Sequence, residues 1–270
     1  MVTETNRIDR RFAKLRSEGR KALVTYIVGG DGGLENTLEL MHQLVASGSD
    51  LIELGVPFSD PMAEGQVIQK GHERALEQKS SLRKCLALVK AFRENDSETP
   101  VILMGYANPI EKMGAEVFAD NLKEAGGDGA LTVDLPAEEA GPLNDLLKAR
   151  DLRNIFLLTP TTSDQRIAEI TRLASGFVYY VSLKGVTGAG HLDLNSVREN
   201  LVRIRRHTDL PLCVGFGIKD GASAKAVSAD GDGAVVGSVL VAAIGEAENG
   251  AAAKDRIGAM VGEMRATLDS

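Results

Sequence analysis

Short apolar runs recur along the whole chain, separated by segments whose apolar residues fall at helical spacing. The runs lie at 22–29, 51–54, 101–104, 129–133, 154–158, 177–182, 211–215 and 233–236. They are continuous rather than alternating, as expected of parallel strands covered on both faces. Between them, Leu34, Leu38, Met41 and Val45 predict a helix that ends at Gly48. Thr162 and Gln165 read as a capping-box pair opening a helix through Ile167, Ile170, Leu173 and Ala174, with Gly176 as its stop. Leu194, Val197, Leu201 and Ile204 mark another, and Ile8, Phe12 and Leu15 form a stripe on an additional helix ahead of the first strand, expected to cover the core.

Strands alternating with helices imply βαβ units with right-handed crossovers. Eight of them favour closure, so the expected fold is α/β: a (β/α)8 TIM barrel with an extra N-terminal helix. No linker or low-complexity stretch interrupts the pattern, so 1–270 is expected to be one domain. The length of 270 residues agrees, since such barrels typically need roughly 250. In a barrel the chemistry belongs at the C-terminal ends of the strands and in the loops that follow.

Composition narrows the function. A net charge of -7 argues against a nucleic-acid backbone as partner, but leaves a small anion possible where backbone dipoles hold it. The two cysteines, Cys85 and Cys213, sit in apolar runs without metal-ligand spacing and read as buried free thiols. The first residues are polar and carry acids, unlike a signal peptide, and no stretch approaches the roughly 18 apolar residues of a membrane span. The expected location is the cytoplasm.

Two constellations carry candidate chemistry. Glycine-bearing segments follow strands six, seven and eight: Gly185 to Gly188, Gly215-Phe216-Gly217, and Gly237-Ser238. Each alone is compatible with a tight turn. Together, in this part of a barrel, they read as a phosphate site, with the last segment opening a helix whose N–H groups face outward. Earlier, Glu53 stands inside an apolar strand near its C-terminal end. Desolvation there raises a carboxyl pKa, which suits a general acid/base, although a structural ion pair or a bottom-facing residue fits the pattern equally. The loop after it carries Asp60, which reads as turn chemistry, and Glu64, whose role spacing leaves undecided.

The run ELGVPFSDPMAEGQVIQ at 53–69 resembles the signature of tryptophan synthase alpha chains, ELGxPFSDPxADGPxIQ, and the likeness extends over essentially the whole chain. Matching segments include Gly30-Asp31, Gly105 to Pro109, Val133 to Pro136, Tyr179 to Ser182 and Gly215 to Ile218. The resemblance implies a lyase of tryptophan biosynthesis that splits indole-3-glycerol phosphate into indole and glyceraldehyde 3-phosphate. No cofactor or metal is implied on this chain. It implies Glu53 as the acid/base, Glu64 as the carboxylate at the indole nitrogen, and Tyr179 beside the reacting carbon. Thr187 is implied in loop closure onto the second acid. Phosphate is implied at Gly188, Gly217, Gly237 and Ser238, and the indole ring among Tyr26, Met104, Tyr106, Leu131 and Leu157.

The implied partner is a beta chain carrying pyridoxal phosphate, in an alpha2beta2 heterotetramer, docking near 55–60 and 105–111. Two departures from the family pattern stand out: Glu64 replaces the commoner aspartate and Gln66 the proline. They keep open the reading of a barrel that only activates a beta partner; a free-standing indole-releasing lyase, whose relatives share the motifs, is the other alternative.

Overall fold

The computed structural model describes residues 6–182, 193–215 and 217–270. Eight strands run in parallel: β1 (Ala22–Val28), β2 (Leu51–Gly55), β3 (Val101–Gly105), β4 (Gly129–Thr132), β5 (Arg153–Leu158), β6 (Val178–Val181), β7 (Leu212–Gly215) and β8 (Gly233–Val236). Each pairs with the next, and β8 returns to β1 to close the barrel. All eight predicted runs are strands, with ends shifted by one residue at most sites.

The helices among the described residues are α1 (Arg7–Ser17), α2 (Leu34–Ala46), α3 (Gln66–Glu77), α4 (Leu82–Phe92), α5 (Ala107–Met113), α6 (Ala115–Glu124), α7 (Gly141–Ala149), α8 (Asp164–Leu173), α9 (Leu194–Arg205), α10 (Gly221–Ser228), α11 (Ser238–Gly245) and α12 (Gly250–Asp269). None is long and apolar enough to cross a membrane.

Two main apolar cores result, beside a small cluster of Tyr26, Val28, Ala75 and Val241. The larger lies between strands and helices, where the outward side chains of both faces meet. The smaller fills the bottom of the barrel with Ala22, Val24, Leu51, Ile102, Leu131, Ile155, Cys213 and Val235, and Ile8, Phe12 and Leu15 of α1 plug it from below. The extra helix therefore does what its stripe predicts. Both cysteines are buried and free, and burial pushes their thiols well up, to about 12 for Cys85, which keeps them unreactive.

Local expectations held less well at helix ends. The cap of α8 is Ser163, whose side chain accepts from the Arg166 N–H, one residue later than the expected Thr162. Thr162 instead accepts from the Thr159 N–H, and Gln165 bonds Glu169 one turn on rather than reaching back. In α2 the buried stripe is centred on Thr37, Leu40, Met41 and Leu44, with Leu34, Leu38 and Val45 at its margins. The stretch after β3 forms α5 with Pro109 in its first turn, where a missing N–H costs nothing.

At the bottom of the barrel one device recurs. Asp50, Asp128 and Asp232 each precede a strand, and each accepts an N–H at the start of the neighbouring strand, from Leu23, Val101 and Leu212 at 2.9, 2.8 and 2.7 Å. An arginine neutralises each: Arg265 on Asp50, Arg205 on Asp232, and both Arg7 and Arg93 on Asp128. These acids set strand register on the face away from the chemistry. Asp128→Asn keeps the size but not the charge between two guanidiniums, and is expected to lower unfolding free energy by about 2 kcal/mol. Urea unfolding measures this.

Candidate active site

The C-terminal ends of the strands enclose a cavity of about 290 Å3. Its walls are largely apolar, with Ile68, Met104, Val133, Leu157, Val181, Ile218 and Val235, and its polar groups come from Tyr26, Glu53, Glu64, Thr159, Tyr179 and Ser238. Position 53 faces inward because β2 alternates: Leu51 and Glu53 point into the barrel, while Ile52 and Leu54 join the outer core.

Glu53 is 1% exposed, and its Oε1 has no hydrogen-bond partner among the described residues. Removal from water, reinforced by the charge of Glu64, pushes its pKa up to about 8. Glu64, on the loop between β2 and α3, enters the same cavity, and burial raises it to about 7. Two carboxyls of adjacent elements thus share one water-poor space, one inclined to hold its proton at neutral pH and the other at the balance point.

The loop bearing Glu64 is held at several points. The Val56 N–H donates to Met104 O at 2.8 Å, and the Phe58 ring stacks on Tyr106 with centroids 5.0 Å apart. The Tyr106 hydroxyl accepts from the Ala63 N–H at 3.1 Å, one residue before Glu64. Asp60 is exposed and paired with Ser59 Oγ, as turn chemistry predicts. Gln66 is the first residue of α3, where proline is favoured because that N–H is spare and its fixed φ suits a helix start. Glutamine there keeps the helix start in place.

Gly217, Gly237 and Ser238 line the same cavity, and Ser238 opens α11. The two pocket tyrosines lie over glycines of the next strand. A Cβ on Gly55 would sit 2.3 Å from the Tyr26 hydroxyl, and one on Gly215 would sit 2.2 Å from that of Tyr179. Burial, with the nearby carboxylates, keeps both phenols protonated.

Of the residues singled out by sequence, Tyr26, Glu53, Glu64, Met104, Leu157, Tyr179, Gly217, Gly237 and Ser238 line this one cavity. Tyr106 and Leu131 do not; they border a neighbouring void of about 10 Å3, where Tyr106 anchors the Glu64 loop. Thr187, Gly188 and Phe216 lie outside the described residues. Sequence reading missed Val133, Val181 and Val235, although each stands two positions from a residue it singled out, at Leu131, Tyr179 and Gly237. It also missed Thr159, Ile68 and Ile218, which loops and helix starts bring in and no strand period marks.

The family profile described as tryptophan synthase alpha chain matches residues 12–269. This chain belongs to the tryptophan synthase alpha chain family. The tryptophan synthase alpha chain of Thioalkalivibrio sulfidiphilus is 56% identical over 265 residues, covering 98% of this chain and all of that one. The crystal structure of tryptophan synthase subunit alpha from Legionella pneumophila superposes with a TM-score of 0.90 at 43% identity, covering 98% of this chain and 99% of that chain. A chain in the aminoacrylate-bound tryptophan synthase of M. tuberculosis matches at 32% identity and a TM-score of 0.87, over 98% of this chain and all of that one. As a tryptophan synthase alpha chain, the protein is a lyase of tryptophan biosynthesis, and pyridoxal phosphate belongs to the beta chain of that enzyme.

Proposed function

We propose that this cavity binds indole-3-glycerol phosphate and cleaves it with Glu53 as the proton carrier. The observation that carries the reading is Glu53 itself, a buried carboxyl, unpartnered among the described residues and held protonated near neutrality, in one largely apolar cavity with the start of a helix. Glu53 delivers its proton to C3 of the indole ring, which leaves positive charge on the ring nitrogen. Glu64, as carboxylate, offsets that charge. Glu53, now a carboxylate, takes the proton of the neighbouring glycerol hydroxyl. The C–C bond then breaks, its electron pair restores the ring, and indole and glyceraldehyde 3-phosphate leave with Glu53 protonated again.

Met104, Leu157 and the valines give the ring an apolar seat, and Tyr179 stands near the reacting carbon. Gly217, Gly237 and Ser238 hold the phosphate through the start of α11, with Gly188 assigned to the same task by resemblance. Thr187, assigned by resemblance to loop closure onto Glu64, belongs to this proposal as well.

The same reading covers residues 1–270 as one cytoplasmic domain that passes indole to a beta chain in an alpha2beta2 complex. The position of Glu64 in the cavity and of Gln66 at the start of α3 favours an active enzyme over a barrel that only activates its partner. Indole release by the purified chain, with and without added beta chain, is the test. Release that rises on adding beta chain, together with copurification of the two, is expected. Release without any beta association would leave a free-standing lyase, and no release with beta activation intact would overturn the proposed catalysis.

A further inference from the structure

His72 on α3 is 2% exposed, and both its ring nitrogens are engaged. Nδ1 lies 3.0 Å from the Phe58 nitrogen and Nε2 lies 3.2 Å from the Tyr26 hydroxyl. The Phe58 N–H can only donate, so Nδ1 must accept, and the proton of a neutral ring is on Nε2. Burial lowers the pKa of His72 to about 4, which keeps the ring neutral. The Nε2–H then donates to the Tyr26 oxygen. Tyr26 is itself 3% exposed, and among the described residues its own hydroxyl proton has no acceptor. A buried donor left over in a cavity wall calls for a partner from outside the protein.

The place of Tyr26 says which part of a substrate that is. β1 lies between β2 and β8 in the closed barrel, and Tyr26 is in register with Glu53 on one side. On the other side its ring is the nearest neighbour of Gly237, where an added Cβ would stand 3.3 Å from it. Tyr26 therefore spans the interval between the acid and the start of α11. In the substrate of the preceding section that interval is the glycerol chain.

We infer that His72 is a positioning residue: locked by the Phe58 amide, it makes the Tyr26 oxygen an acceptor and so turns the phenol proton into the cavity as a donor to a glycerol hydroxyl. The inference rests on the lyase reading above and assigns Tyr26 a polar task in place of a wall of the indole seat.

Asparagine and glutamine divide the two arms of His72. Asn Oδ1 falls near the place of Nδ1 and keeps the Phe58 bond, but it cannot reach Tyr26. The Gln amide reaches the place of Nε2 and gives up the Phe58 bond. Tyr26→Phe is expected to lower kcat/KM for indole release by roughly three- to tenfold. The same change should cost nothing further in a His72→Asn background and should still cost in His72→Gln. An indole propyl phosphate, which lacks both hydroxyls, should bind wild type and Tyr26→Phe equally. Nitrogen spectra of histidine-labelled protein, assigned by loss of one of the four histidines in His72→Asn, should show His72 neutral and protonated on Nε2.

Equal cost of Tyr26→Phe in wild-type and His72→Asn proteins, or an Nδ1-protonated ring, overturns the inference while leaving the lyase reading in place. A wild-type chain that releases no indole overturns both. Thermal unfolding of each variant separates these outcomes from simple loss of fold.

Discussion

Glu53→Gln is expected to lower turnover of indole-3-glycerol phosphate by at least about 10²-fold with the barrel intact. Glutamine fills the same volume inside β2 and stays neutral, as Glu53 is at neutral pH, but it can neither release nor accept a proton. The same variant reports on the protein's stability. The carboxyl of Glu53 keeps its proton to about pH 8 in the folded chain, against an ordinary value of 4.5. A raised folded pKa on an acid means that the unfolded chain ionises first. Stability is then lost progressively as pH rises from the ordinary value through about 8, at about 1.4 kcal/mol per pH unit.

Glu53→Gln removes that loss, offset in part by its own unpaired amide at about 1–3 kcal/mol. The variant should therefore gain on wild type in denaturant unfolding between about pH 5 and about pH 9, while having lost its activity. Retained turnover would remove Glu53 from the chemistry. A stability difference independent of pH would mean that its carboxyl is not the desolvated group described here.

Glu64→Ala carries the second large effect, about 10²-fold in kcat/KM, the scale seen when one electrostatic partner of a developing charge is removed. Its pH signature is separable from that of Glu53. Glu64 works as a carboxylate and is raised to about 7, so activity is lost as pH falls through that value. Glu53 must enter with its proton, so activity is lost as pH rises through about 8. The wild-type profile of kcat/KM is expected to be a narrow bell between these limits. Glu64→Ala should lose the acid limb and retain an alkaline one, moved to lower pH because the charge of Glu64 no longer raises Glu53. Near-normal turnover of Glu64→Ala, or an unchanged acid limb, would assign the nitrogen-side charge to another group.

Much of this was legible along the chain. Parallel strands buried on both faces must be apolar throughout, so β1 to β8 announced themselves as runs, and the acid at 53 stood out because nothing else charged interrupts those runs. The inward or outward sense of each strand residue was less legible, since a run apolar on both faces hides its period of two. That is why Val133, Val181 and Val235 went unread although Leu131, Tyr179 and Gly237, each two positions away, were noticed. Helix ends were harder still. Ser163 and Thr162 are chemically alike, and only the backbone angles of 163 decide which hydroxyl meets the Arg166 N–H.

His72 shows the limit most clearly. In sequence it is one polar residue on the buried side of α3, with nothing to distinguish it from a packed core histidine. Its meaning depends on Tyr26, 46 positions earlier, and on Phe58 in the loop between. Tyr106 moved the other way, from an expected ring wall to the anchor of the Glu64 loop. Sequence by itself determined the barrel, its extra helix, the family and the acid in β2, because burial and local backbone preference act on neighbours in the chain. Tertiary structure alone decided the proton affinity of Glu53, the company of Glu64, and the direction of the Tyr26 hydroxyl. Each depends on what removes water from a group and which distant dipole replaces it, and closure of β8 onto β1 brings those groups together.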